Sequence, residues 1–204
     1  MRSRPYQNRV HPDGTLHALP VRGGVMGNRG GRLHDGDGRI CRAHASKRWI
    51  YCVTQFKGRR RRVMGDGYTE LFFLDASTAL SAGHRPCYEC QRAEARRFAS
   101  AWAIAFGLSA PPRADDMDRV LHPARRKRGE ALMDWADLPY GAMCTMGQTP
   151  ILKAASGAWG WTWQGYESTE PPSIRVRALT PAPIRAVLAA GFLPPGLPGS
   201  QTEQ

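Results

Sequence analysis

With 204 residues, 29 lysines and arginines against 17 acidic residues and a formal charge of +12, the chain can bury a core of its own. Its field draws polyanions, nucleic acid foremost. No apolar run reaches the length of about 18 residues that a membrane-spanning helix needs, and five cysteines are too few, and odd in number, for a disulfide framework. The opening MRSRPYQNRV is basic but lacks the apolar segment of a secretory signal, so a cytoplasmic location is expected, where a C-x-x-C pair means metal or redox chemistry.

In chain order, residues 8–42 are dense in glycine, with PDG and DGDG turn signals between short alternating runs, and predict short strands joined by tight loops. A strand is expected at RWIYCVTQF, then the basic turn KGRRRR, then a strand at TELFFL. In DASTALSAG, Asp75 or Ser77 caps a short helix and Gly83 stops it. A longer helix is expected from Gln91 to Phe106, with Phe98, Trp102 and Ala105 or Phe106 on its apolar face and Arg92, Arg96 and Arg97 off it. LSAPPRADDMD reads as a linker, followed by a helix broken near Pro123 and a polar, basic segment. GAMCTM, PILKAA, GWTWQGY and IRVRAL read as four strands of a small meander or barrel. Thr180 and Pro181 open a last helix that Gly191 closes. The expected class is α+β, divided into a zinc-binding lobe (1–110), a basic helical connector (111–138), a β-rich lobe with its C-terminal helix (139–195) and a disordered tail (196–204).

The chemistry concentrates in GHRPCYECQR. Pro86 stiffens the entry, Cys87-Tyr88-Glu89-Cys90 turns, and a helix begins at once. Such a knuckle brings two thiolates to one point and aims backbone N–H groups at their sulfurs, as in treble-clef and ribbon zinc sites. A redox pair would follow a strand in a βαβ unit, and here the preceding element is a short helix.

The run ELFFLDASTALSAGHRPCYECQR resembles the N-terminal metal-binding module of Ada-type DNA alkylation-repair proteins, over about residues 70–95. Ala79, Leu80, Ala82, Gly83, Arg85, Pro86, Cys87 and Cys90 carry the likeness. It implies a Zn²⁺ site. The remainder, with its MGNRG…LHD…RW…C pattern, resembles bacterial proteins of unassigned function. Ada-type modules take their first two ligands from a close cysteine pair, one of which accepts a methyl group from a DNA phosphotriester. Only Cys41 and Cys52 precede the knuckle here. Cys52, mid-strand, is expected as third ligand. His34, with Asp35 beside it, is placed first for the fourth, ahead of Cys41, which a hairpin turning at Ser46–Lys47 would set opposite Cys52, and of His84. Cys144 is expected in the core.

Three functions follow. The first is nucleic-acid binding, DNA before RNA, through Lys57, Arg59, Arg60, Arg61, Arg62, Arg92 and Arg96 around a structural zinc. The second is a metal-dependent nuclease using Asp118 and His122, or His34 and Asp35. The third is an alkyl acceptor with Cys52 as nucleophile. A same-face stripe of Trp159, Trp161 and Trp163 with Tyr166 is either core or a base-stacking surface.

Overall fold

The structure is a computed structural model that describes residues 4–199 except 61 and 128. Among these residues the chain is α+β, with two six-stranded sheets and four α-helices. The first sheet contains β1 (Gln7–Val10), β2 (Leu16–Ala18), β3 (Val25–Arg29), β4 (Trp49–Val53), β5 (Leu71–Phe73) and β6 (Arg85–Pro86), in the order β2-β1-β5-β3-β4-β6. β3 lies between β4 and β5, antiparallel to both, and Met26 faces Cys52 across the ladder. Gly27 permits this packing: a Cβ there would stand 2.3 Å from the Ile50 carbonyl oxygen and 2.9 Å from the Phe73 ring.

Two helices connect the sheet to the knuckle. α1 (Ala76–Ser81) starts where the Thr78 N–H donates to the Asp75 carboxylate at 2.7 Å. It stops at Gly83, whose φ of +85° suits glycine, while the Gly83 and His84 N–H groups donate to the Leu80 and Ala79 carbonyls. α2 (Arg92–Ala105) buries Phe98 and Trp102, as the spacing predicts.

α3 (Ala114–Ala124) begins inside the stretch read as a linker, with Asp115 and Asp116 in its first turn, favourable to the helix dipole. Pro123 falls in its last turn. The second sheet runs β11-β10-β9-β8-β12-β7, from β7 (Leu132–Met133), β8 (Met143–Met146), β9 (Thr149–Ala154), β10 (Gly157–Trp161), β11 (Tyr166–Thr169) and β12 (Val176–Ala178). GWTWQGY is thus two strands rather than one, because the Thr162 hydroxyl and N–H close a turn on Gly165. α4 (Ala182–Ala189) follows Thr180, whose hydroxyl accepts from the Met143 N–H instead of capping the helix. In the tail, Ser156 donates to the Pro198 carbonyl at 2.8 Å, and residues from 200 onward lie outside the described set.

One continuous core joins these layers: Tyr51 and Phe73 of the first sheet, Phe98 and Trp102 of α2, Ile151 and Val176 of the second sheet, and Phe192. Each such side chain removed from water contributes about 1.5–3 kcal/mol. The second sheet is also pinned to α1 by polar contacts: Trp161 donates to the Thr78 hydroxyl at 3.0 Å and Tyr166 to Asp75 at 2.7 Å. Trp161 is 5 % exposed and belongs to the core, and Trp163 sits in the turn after β10, so the tryptophans do not form one open stacking face.

Candidate metal centre

β6 is the element that makes the site. It pairs parallel with β4, Ile50 opposite Arg85 and Tyr51 opposite Pro86, and the Cys87 N–H donates to the Tyr51 carbonyl at 3.0 Å. One residue further along both chains stand Cys52 and Cys87. The knuckle then turns, Gln91 donating back to the Cys87 carbonyl at 3.0 Å through its N–H and to the Tyr51 carbonyl at 3.1 Å through its side chain. The result brings Cys52, Cys87 and Cys90 together, all three sulfurs within 4.8 Å of one another. A zinc ion with Zn–S bonds of about 2.3 Å spaces its sulfurs about 3.8 Å apart, so this triangle closes on a metal with small side-chain motions.

The surroundings suit thiolates. Cys87 Sγ accepts the Glu89 N–H at 3.4 Å, and the backbone N–H groups of Cys90 and Val53 act to lower the pKa of Cys87 and Cys90 respectively. Backbone donors aimed at sulfur favour the ionised form. Without a metal the three share their charge unequally. The Cys87 thiol is held well below its ordinary value by hydrogen bonds from Cys52 and then Cys90. Cys52 is pushed up because it donates to Cys87 and Cys90 and is buried. Cys90 also lies above its ordinary value, the lowering by Cys52 being outweighed by Cys87 and by burial. A divalent cation would hold all three as thiolates.

The three cysteines line a cavity of about 620 Å³ whose walls include Met26, Phe56, Tyr68 and Phe72. Arg59 and Arg60 line it as well. Arg59 pairs with Glu89 at 2.7 Å, tying the basic turn to the knuckle.

The other expected ligands lie elsewhere. His34 is buried with Nδ1 2.6 Å from the Thr69 hydroxyl and Nε2 3.1 Å from the Gly65 carbonyl oxygen, so both ring nitrogens are committed to loop contacts. Asp35 folds its carboxylate onto the Asp37 and Arg39 N–H groups, and the Arg39 N–H chiefly draws its pKa below the ordinary value. Cys41 is exposed and donates to the Arg39 carbonyl at 3.3 Å; β4 pairs with β3 and β6 and not with the segment bearing Cys41, so no hairpin sets it opposite Cys52. His84 packs between Trp49 and Phe73, ring centroids 5.0 and 4.7 Å away.

The nuclease candidates are likewise occupied. Asp118, 1 % exposed, is gripped by Arg85 through both oxygens at 3.2 and 2.7 Å and faces Arg125 at 3.4 Å. His122 stacks edge-on against His44 at 4.9 Å, and burial followed by His44 lowers its pKa. Neither pair forms a metal-binding group among the described residues.

Of the basic residues, Lys57 and Arg59 sit over the Phe56 ring at 5.2 and 5.4 Å, and Arg62 lines a separate depression with Arg32. Arg92 and Arg96 are exposed on the first turns of α2, and Arg61 lies outside the described residues. Met26, Tyr68, Phe72 and Glu89 line the cavity without having been singled out from the sequence; the register that places Met26 against Cys52 leaves no local signal. Among the described residues no helix is long and apolar enough to cross a membrane. Comparison with protein-family models, with curated proteins and with solved structures finds no match.

Proposed function

We propose that the chain is a zinc protein that binds nucleic acid, DNA before RNA, through the arginine-rich surface around the knuckle. The observation that carries the metal is the convergence of three cysteine sulfurs, with the Glu89 N–H donating to Cys87 Sγ. Zinc is the ion such a donor set selects, since thiolates are soft ligands and the d¹⁰ ion accepts a tetrahedral site without redox demands. The nucleic-acid reading is supported by the +12 charge and by the exposed Arg59, Arg60, Arg92 and Arg96, on the two segments that flank the cysteines. The likeness of the knuckle to Ada-type modules points the same way.

Two measurements test it. Elemental analysis of the purified chain is expected to give one zinc per molecule, lost in Cys87→Ser. Fluorescence anisotropy with mixed-sequence DNA is expected to show affinity falling steeply with salt, and Arg60→Ala should lower the logarithmic salt slope by about 1. Affinity indifferent to salt would remove nucleic acid from the proposal and leave the zinc standing.

A second reading is that Cys52 accepts an alkyl group. One observation favours it: Cys52 and Arg60 line the same cavity, and the Arg60 guanidinium would neutralise a phosphate leaving group. It requires Cys52 to gain the mass of one methyl group after exposure to alkylated DNA.

A further inference from the structure

We propose that the fourth coordination position of the Cys52–Cys87–Cys90 centre is supplied from outside the chain, by a small thiol bearing an anionic group that enters the adjoining cavity. This rests on the zinc reading above.

Among the described residues no fourth histidine, cysteine or carboxylate joins the three sulfurs. The side chains that could have done so are held by other partners: His34 by Thr69 and Gly65, Glu89 by Arg59, and Glu70 by the Met64 N–H at 2.8 Å. A zinc ion whose fourth position is not filled by protein keeps it for a ligand. All three cysteines lie in the wall of the 620 Å³ cavity, a volume that falls within the range of about 300–1,000 Å³ usual for small-molecule sites.

The lining narrows the ligand. Three thiolates make the metal a soft acceptor with a net charge of one minus, which favours a polarisable sulfur donor over a carboxylate or phosphate oxygen. Met26, Phe56, Tyr68 and Phe72 are each only half-buried and offer apolar surface to a short carbon chain. Of the two lining arginines, Arg59 is neutralised by Glu89, while Arg60 forms no ion pair among the described residues and is left to meet an anionic end. On binding, the ligand's S–H bond breaks and its proton passes to solvent. One metal–sulfur bond forms in exchange for a solvent molecule, and no electron is transferred. The bound sulfur is then a thiolate at neutral pH.

The test uses the full chain loaded with Co²⁺, whose visible absorption reports its donors, titrated with 3-mercaptopropionate, propionate and 2-mercaptoethanol. The expected result is a new sulfur-to-cobalt band and shifted ligand-field bands with 3-mercaptopropionate, the metal still eluting with the chain, and one proton released per site. Propionate should have no such effect, and 2-mercaptoethanol should bind about tenfold more weakly. Arg60→Ala should weaken 3-mercaptopropionate about tenfold and leave 2-mercaptoethanol unchanged. A loaded chain whose spectrum ignores both thiols, or which surrenders its cobalt to them, overturns the proposal, as does a response to propionate equal to that of the thiol. Equal binding of the two thiols, untouched by Arg60→Ala, overturns the anionic part. A chain that takes up no Co²⁺ or Zn²⁺ at all defeats the zinc reading itself, a result distinct from each of these.

Discussion

Cys41 and Cys52 flank one loop and look equivalent in the sequence, yet their environments differ sharply. Cys52 is 7 % exposed, fixed on β4 beside two other sulfurs, whereas Cys41 lies in solvent on a loop. Single alanine replacements at Cys52, Cys87 or Cys90 are therefore expected to abolish stoichiometric zinc, and Cys41→Ala to retain it; elemental analysis separates the two outcomes. His34→Ala should also keep the metal but cost about 1–3 kcal/mol, because it strips a buried hydrogen bond from Thr69 and leaves the Gly65 carbonyl unpaired; chemical denaturation of the loaded protein measures this. Zinc must displace protons from the Cys52 and Cys90 thiols, both raised in the metal-free chain, so affinity falls as pH falls. Chelator competition at several pH values should show that direction.

At the scale of elements, what was legible was what is local. The cap at Asp75, the glycine stop at Gly83, the turn at Cys87–Cys90 and the apolar face of α2 all depend on residues within a few positions of one another, and each formed as expected. Cys52 was reachable as a neighbour of the knuckle because it stands on the strand before the one that leads into it, and β4 then pairs with β6. His34 and Cys41 stay outside the cluster because strand order is not local: β3 inserts between β4 and β5, and the loop carrying them is held at His34 by Thr69 and Gly65. Asp75 shows the added burden a local feature can carry, since it caps α1 and also accepts from Tyr166 of β11. Asp75→Ala is expected to cost more than the roughly 1 kcal/mol of an ordinary cap, as the part-buried Tyr166 hydroxyl loses its partner too. For a chain of this size that is a melting-point drop of at least about 3 °C, readable by calorimetry.

At the scale of the molecule, charge is used in two ways. Arg59, Arg60, Arg92 and Arg96 are exposed around the knuckle, while Arg29, Arg85 and Arg125 are buried and spend their charge on carbonyls, on Asp118 and on the Trp49 ring, over which Arg29 and Arg125 stand at 4.1 and 4.7 Å. Net charge alone could not distinguish these populations; burial does. Asp118→Ala is expected to destabilise the fold by about 3–5 kcal/mol, by leaving two guanidinium groups buried against no carboxylate, without removing a metal site. A variant that kept its stability while losing a metal-dependent nuclease activity would contradict this assignment.

The central claim is a zinc ion held by three cysteines of one chain with its fourth position left for a ligand, and X-ray absorption at the zinc edge of the purified protein tests it most directly. The account predicts three sulfur neighbours at about 2.3 Å and one lighter neighbour at about 2.0 Å. A shell of four sulfurs in the absence of added thiol, or a chain that binds no zinc, would contradict it.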